Sequence, residues 1–395
     1  MGGCRLKKDR FRLKLVVPVL FSILVIVTFL NYTRKSPIEL EVSHSTSTES
    51  IESDSGKPSL DIIKKVKEKI SSQDEESEEE PYIIECKNDA PKWHDLDFTE
   101  EESERLQSEL NKQIELLRES EDLDDQLVYA LSAKGLKTEN IVKILKNILE
   151  NEPNHELANW NLLNICVGHA DSKNSICEKE LAEDLIEANR HNAMVWLNVL
   201  TKKNANENID ETIHALSQII SAPVFEEYYS EHIDLYDRVM TRNNSMTSLQ
   251  RSIAAIGFAA ANPLPSFARL TRFCSTYSKE RNDILTLCLQ VGKRMSNSSR
   301  TTLTKAIGDS LQKTSYQILG DEESAVEVEK THINNQIWGN EQLHKAINLQ
   351  KYDSQLSEQW YRNLISYGEM KAFDILIEDA IRLSADENYN PCPES

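Results

Sequence analysis

Glycine is scarce in this sequence. Only 11 of the 395 residues are glycine, well below the ~7% of average proteins. Tight hairpin turns and phosphate-binding loops need glycine, because it adopts positive φ without strain. The scarcity therefore argues against β-sandwiches, doubly wound α/β folds and P-loops.

Motifs that mark nucleotide, hydrolase and zinc sites are also missing. No G-x-G-x-x-G, G-x-x-x-x-G-K or G-x-S-x-G occurs. The sequence has no C-x-x-C, no H-x-x-x-H and no Cys–His cluster at zinc spacing. We therefore predict no catalytic residue, no cofactor-binding residue and no metal site, and we interpret the chain as non-enzymatic.

Two acidic patterns need a separate interpretation. Asp95 and Asp97 form one D-x-D pattern, and Asp122, Asp124 and Asp125 form a second. In sugar-nucleotide transferases such pairs hold a divalent metal, but there they follow a strand of an α/β domain. Here one set precedes a predicted helix and the other opens one, so we interpret these carboxylates as helix-start residues.

A run of sixteen uncharged residues, 15–30, predicts a membrane anchor. It spans roughly 25 Å as a helix, against about 30 Å for a bilayer core. Residues 31–35 offer no small-residue cleavage site, so a signal-anchor over residues 15–32 is favoured over a cleaved signal peptide. Six cations within residues 1–14 predict that this tail stays in the cytoplasm.

The remainder of the chain is strongly acidic. Beyond residue 35 there are 37 basic and 64 acidic residues, a net charge of about −27, which argues against nucleic acid as a partner. Residues 33–90 contain HSTSTESIESDSG and SSQDEESEEE, a composition typical of a disordered acidic tether. Residues 91–395 are then the exported domain.

From about residue 99, apolar residues recur at three- and four-residue spacing. The stripes are broken by short polar segments such as 151–153 and 203–206. We predict an all-α fold, an α-α superhelix of stacked helix hairpins behind the transmembrane helix.

A weak internal repeat supports the superhelix. His155 and Trp160 recur as His191 and Trp196, which places the two tryptophans 36 residues apart. A period near 34 with tryptophan on the first helix is typical of tetratricopeptide repeats. We interpret both tryptophans as wedges between helices.

Six cysteines follow the predicted anchor, an even number that suggests disulfides in an exported domain. Cys166 and Cys177 flank one polar turn, and Cys274 and Cys288 flank another. We predict that each pair bridges the two helices of one hairpin and stabilises the fold by roughly 3 kcal/mol. Cys86 and Cys392 remain, and a bridge between the two ends of the domain is left open.

The stretch from Trp160 to about Leu311 resembles a group of uncharacterised Gram-negative bacterial membrane-anchored proteins with tetratricopeptide-like helical repeats. The resemblance rests on an ordered set of motifs: a cysteine-flanked hairpin ending in Asn-Ala-x-x-Trp-Leu at 192–197, Ser-Ala-Pro at 221–223, Gly-x-Ala-Ala-x-x-Pro-Leu-Pro at 257–265, and a second cysteine pair. It covers about 150 residues and implies no catalytic residue. At 221–223 this sequence departs from the Ala-x-Pro turn of that group, because alanine is followed directly by proline.

These observations lead to one preferred function. We expect a single-pass inner-membrane protein with its C-terminal domain in the periplasm, acting as a protein- or peptide-binding scaffold. The alternative is a single-pass type II membrane enzyme of the envelope or Golgi with an unrecognised active site. A structural subunit of a membrane assembly is a third interpretation.

Overall fold

The computed structural model describes residues 82–86, 100–169, 176–202, 209–242, 246–262, 265, 267–335 and 340–392. The chain divides into two units, Met1–Tyr82 and Ile83–Ser395, and all but one of the described residues belong to the second. The predicted cytoplasmic tail and anchor, and the tether as far as residue 81, lie outside the described residues.

Sixteen α-helices and one short 3₁₀ helix, Leu117–Glu119, make up the described part of the chain. The α-helices are α1 Glu100–Leu116, α2 Leu123–Ser132, α3 Thr138–Asn151, α4 Glu156–His169, α5 Lys179–Asn189, α6 Ala193–Lys202, α7 Ile209–Ser221, α8 Tyr229–Arg242, α9 Ser248–Ala261, α10 Phe267–Tyr277, α11 Asn282–Ser298, α12 Thr302–Leu319, α13 Glu322–Asn335, α14 Glu341–Leu349, α15 Ser354–Tyr367 and α16 Glu369–Ser384. The all-α prediction is confirmed for these residues.

Local sequence explains where these helices form and end. In α3 the buried residues Val142, Leu145 and Ile148 recur at three-residue spacing along one face. The N-terminus of α9 carries a capping box, in which Thr247 and Gln250 bond each other's backbone amides. Helix α12 ends at Gly320, whose φ of 75° is the left-handed conformation that glycine adopts without strain.

Consecutive helices pack as hairpins in the N-terminal half. Helix α2 packs on α3, α3 on α4, α4 on α5, and α6 on α7, while α4 also packs on α6. The first helices of the two tryptophan-containing hairpins therefore lie side by side, as in a helical repeat.

Two pairs of residues that are 34 positions apart are joined by hydrogen bonds. Asn198 Nδ2 donates to Asn164 Oδ1, linking α6 to α4. Asn192 Nδ2 donates to Glu226 O at 2.9 Å, linking the turns that precede α6 and α8. These bonds connect α4 with α6, and the turn before α6 with the turn before α8.

The chain also folds back on itself. Helix α8 packs on both α2 and α15, which are about 100 residues away in sequence, and α7 packs on α11. Stacking of adjacent repeats alone would not produce such contacts. Tyr236 of α8 is fully buried, so one face of α8 lies in the interior of the unit.

Two hydrophobic clusters form the core. The larger extends from α1 to α16. The smaller lies among α14, α15 and α16 and also includes Ile83, which is 2% exposed. Ile83, which the sequence assigns to the acidic tether, is therefore part of the hydrophobic core of the unit Ile83–Ser395.

The two repeat tryptophans have different environments. Trp160 is 5% exposed and its ring centroid lies 5.1 Å from that of Tyr228. Trp196 is half-buried; its Nε1 donates to Arg190 O at 3.0 Å and its ring lies edge-on to His214. Trp160 is the interior wedge that the sequence predicts, whereas Trp196 lies nearer the surface.

Candidate functional site

Three disulfides cross-link the helical unit. Cys166 joins Cys177, and Cys274 joins Cys288, with Cα–Cα distances of 5.3 and 5.8 Å. These are the pairs predicted from the sequence. Both bonds are buried, since all four cysteines are at most 4% exposed.

The position of Cys177 differs from the prediction. Cys274 and Cys288 lie on the two helices of one hairpin, α10 and α11. Cys166 lies on α4, but Cys177 lies in the connection before α5, whose N-cap is Glu178. The bridge therefore ties the connection, and not a second helix, to α4.

The third disulfide joins the two ends of the unit. Cys86 and Cys392 are 306 residues apart in sequence, and their Cα atoms lie 5.3 Å apart. The sequence left this pair open. Both residues are half-buried, so this bond is more accessible to solvent than the other two.

The second D-x-D pattern lies at the N-terminus of α2. Asp122 is the N-cap, and its side chain accepts a bond from Asp125 N at 3.1 Å. Asp124 is in the first turn of the helix. The helix-start interpretation is confirmed for this set, whereas Asp95 and Asp97 lie outside the described residues.

The same carboxylates bind two arginines of α8, an arrangement that we call the Asp–Arg clamp. Arg242 contacts Asp122 and Asp125, and Arg238 contacts Asp124. These ion pairs fasten α2 to α8 across more than 110 residues of sequence. The sequence did not predict these ion pairs, because no local pattern near the aspartates indicates which arginines they bind.

A histidine completes the electrostatics of the clamp. His155 Nε2 lies 3.6 Å from Asp124 Oδ1, while its Nδ1 accepts a bond from Ala158 N. The bond from His155 and the nearby Arg238 lower the pKa of Asp124 to about 2. The clamp therefore contains an ionised carboxylate over the whole range of ordinary pH.

A second polar group, the Arg300 cluster, consists of Arg300, Glu226, Glu227, Glu231 and Glu369. Arg300 Nη1 lies 3.0 Å from Glu226 Oε2 and 2.9 Å from Glu231 Oε1. Burial and the neighbouring Glu226 raise the pKa of Glu231, and burial raises that of Glu369.

The other two carboxylates of the Arg300 cluster cap α12. Glu227 accepts bonds from the backbone amides of Arg300 and Thr301, at 2.7 and 3.1 Å. Glu369, the first residue of α16, accepts bonds from the amide and hydroxyl of Thr302. Carboxylates at a helix N-terminus satisfy its free amides and interact favourably with the helix dipole. The cluster therefore joins the N-termini of α8, α12 and α16.

Tyr228, next to this cluster, has an unusual backbone. Its φ is 57°, the only positive value at a non-glycine residue among those described, and such a conformation costs of order 1–3 kcal/mol. Its amide donates to Glu226 Oε1 at 3.2 Å and its carbonyl contacts His232 Nδ1. The strained turn is thus fixed on both sides.

His232 is a buried histidine of α8, 2% exposed. Because Nδ1 donates to the Tyr228 carbonyl, Nε2 is the acceptor and receives a bond from Asn161 Nδ2 at 2.9 Å. Burial lowers the pKa of His232 to about 4. The ring is neutral at pH 7 and links α8 to α4.

The sequence contained little to reveal these groups. The Glu226–Glu227 pair and Arg300 lie 69 to 74 positions from their partners. A pair of glutamates in a turn just before a helix was the available signal, because such residues cap helices.

None of the helices described is long and apolar enough to cross a bilayer. No group of three His, Cys, Asp or Glu side chains within the described ranges could hold a metal ion. Comparisons with family models, curated proteins and solved structures find no match.

Proposed function

We propose that this protein is a membrane-anchored helical-repeat scaffold that binds a protein or peptide partner. Residues 15–32 are the span in the inner membrane, residues 1–14 face the cytoplasm, and the helical unit faces the periplasm. We also propose that the helices form a stacked-hairpin superhelix of tetratricopeptide type, and that the chain is related to the bacterial group that it resembles.

The observation that carries the proposal is the 34-residue period of contacts between hairpins. Asn164 and Asn198 bond each other, and so do Asn192 and Glu226. Together with the packing of α4 on α6, these bonds support a repeat array. Such arrays present continuous surfaces that recognise peptides and other helices.

The buried disulfides support an exported location. Structural disulfides persist in oxidising compartments such as the bacterial periplasm and are rare in the cytosol. With six described cysteines in three bonds, the unit suits that compartment. The six cations of residues 1–14 favour the same orientation.

A structural role for the perturbed carboxylates supports the non-enzymatic part of the proposal. Glu231 and Glu369 have raised pKa values, a property that active-site groups often share. Here Glu231 binds Arg300 and Glu369 caps α12. The positions of Glu231 and Glu369 are therefore explained by their role in joining the N-termini of three helices.

Topology is tested with a reporter enzyme that is active only outside the cytoplasm. Fused after residue 395 it should be active, and fused after residue 14 it should be inactive. An inactive reporter at residue 395 would overturn both the localisation and the compartment argument.

Binding is tested by photocrosslinking of the full chain in its own membrane. Crosslinking residues are placed one at a time at the exposed apolar positions Leu249, Leu319 and Val326, with the exposed charged position Glu183 as the matched control. A scaffold should give adducts of defined mass at some apolar positions and none at the control. Adducts at no position, or at all four alike, would contradict the binding role.

A further inference from the structure

The segment Ile83–Cys86, which we call the strap, lies against α14 and α16. It has no regular secondary structure. Ile83 packs into the smaller hydrophobic cluster with Leu343, Leu349 and Leu376. The cluster residues of α14 and α16 form the strap groove.

Each strap residue makes a different kind of contact. The amide of Ile84 donates to Ser384 Oγ at 2.9 Å, and Glu85 pairs with Lys345 at 3.2 Å. Cys86 is covalently bound to Cys392. The groove thus offers an apolar pocket, a hydroxyl acceptor and a cation to a short acidic segment, which is the combination of anchor and polar contacts that peptide sites use.

Noncovalent contacts hold the strap weakly. They comprise the buried Ile83, the partly buried Ile84 against the same cluster, one backbone hydrogen bond, and one ion pair whose Glu85 side chain is 65% exposed. Exposed ion pairs add little, and ordering the strap opposes binding through lost conformational entropy. The disulfide raises the effective concentration of the strap at its groove, so occupancy depends on that bond.

The bond is also accessible to reductants. Cys86 and Cys392 are half-buried, whereas the other four described cysteines are at most 4% exposed. Thiol–disulfide exchange requires access of a thiolate to one sulfur. A dithiol reductant therefore reaches this bond before the other two.

We propose that the strap groove is a binding site for peptide segments with an apolar residue followed two positions later by a carboxylate, and that the strap occupies it in cis while Cys86–Cys392 is intact. This deepens the proposed scaffold function by naming a site and a ligand class. A dithiol opens the site: one thiolate attacks the sulfur of Cys86, which forms a mixed disulfide and releases Cys392, and the second thiol of the reductant then attacks the mixed disulfide and releases Cys86. The products are two cysteine thiols and the oxidised dithiol, a transfer of two electrons and two protons.

Peptide binding tests the site directly. A fluorescent peptide carrying the sequence of residues 81–85 is titrated into the full chain, oxidised or treated with dithiothreitol, and into the double variant Cys86→Ser/Cys392→Ser. The reduced chain and the double variant should bind it at least tenfold more tightly than the oxidised chain. A peptide with aspartate at the Ile83 position should bind none of them.

A charge exchange supplies the matched control. Lys345→Glu in the double variant should weaken binding severalfold, and a peptide with lysine at the Glu85 position should restore it. Equal binding in both redox states, or binding indifferent to the Ile83 and Glu85 positions, would overturn the proposal.

The order in which the three disulfides are reduced tests whether the Cys86–Cys392 bond holds the strap in its groove. With graded dithiothreitol, isotope-coded alkylation should label Cys86 and Cys392 before the other four cysteines, and hydrogen exchange at the Ile84 amide should rise at least tenfold at the same concentration. Labelling of all six cysteines together, or an Ile84 amide still protected once Cys86 is free, would show that the Cys86–Cys392 bond does not hold the strap in its groove. Neither result touches the scaffold function, which the photocrosslinking pattern decides separately.

Discussion

Gly292 of α11 and Gly308 of α12 meet where the backbones of these two helices come together. A Cβ atom added at Gly292 would lie 2.9 Å from Gly308 O, and one added at Gly308 would lie 2.7 Å from Ser296 N. Both distances are too short for any side chain, and the obstructing atoms belong to backbone. The close pairing of α11 and α12 therefore requires glycine at both positions.

Replacing either glycine should separate the two helices. Gly292→Ala and Gly308→Ala should each lower the free energy of unfolding by about 1–3 kcal/mol, as overpacking of a core does. Urea denaturation followed by circular dichroism measures this. Gly257→Ala is the matched control, because nothing lies within 4 Å of its added Cβ. It should leave stability unchanged or raise it by up to ~1 kcal/mol through helix propensity.

The buried His232 should make stability depend on pH. The unfolded chain protonates this histidine below its ordinary pKa of 6.5, whereas the folded chain does so only near 4. Stability is therefore lost as pH falls through this window, by about 2 kcal/mol between pH 7 and pH 5. Urea denaturation midpoints measured between pH 7 and pH 5 show how stability changes with pH.

The matched variant is His232→Gln, which keeps a donor and an acceptor but does not titrate. Glu231 and Glu369 have raised pKa values and act in the opposite sense, but they are present in both proteins. The difference between the two pH profiles therefore isolates His232. Parallel profiles would show that this ring does not carry the pH dependence.

The Asp–Arg clamp should contribute modestly to the stability of the folded chain, and this contribution should be sensitive to salt. Its Arg238 side chain is 51% exposed and Asp124 is 24% exposed, so we expect a coupling energy of about 0.5–1 kcal/mol in a double-mutant cycle of Asp124→Asn and Arg238→Gln. Raising the salt concentration to 1 M should reduce it. The same cycle on the local pair Arg281–Asp283 should give a smaller coupling. No measurable coupling between Asp124 and Arg238 would mean that this ion pair does not fasten α2 to α8.

Loss of either buried disulfide should destabilise the unit. Cys166→Ala/Cys177→Ala and Cys274→Ala/Cys288→Ala should each lose roughly 2–4 kcal/mol, because each bond constrains the unfolded chain. Thermal denaturation compares the variants, and non-reducing peptide mapping of the parent chain verifies the pairing. A peptide that links Cys166 to Cys274 would contradict the arrangement.

Periodic sequence features predicted the local structure well. The apolar residues Ile141, Ile144, Leu145 and Ile148 recur at three- and four-residue spacing and predict α3, because a buried face repeats with the turn of the helix. Cys274 and Cys288 were placed correctly, because a short hairpin brings neighbouring helices together. Cys177 was placed on a helix that begins two residues later, since helix starts depend on cap geometry that a single sequence specifies poorly.

Contacts between distant segments could not be read from the sequence. Arg242 and Asp122 are 120 positions apart, and Arg300 and Glu226 are 74 positions apart. The burial of Ile83 was hidden because the short apolar segment 82–84 lies between acidic residues, Glu80 on one side and Glu85 on the other. Such contacts depend on how the helices fold back, which local periodicity does not encode.

The Cys86–Cys392 bond also determines how mechanical load passes through the protein. A pull on the chain at residue 86, opposed by a partner attached at residue 392, is transmitted through a covalent bond between neighbouring points. The chain between the two cysteines, which are 306 positions apart, forms a closed loop that carries none of that tension. The helical unit would keep its shape under forces that would otherwise unravel it from its ends.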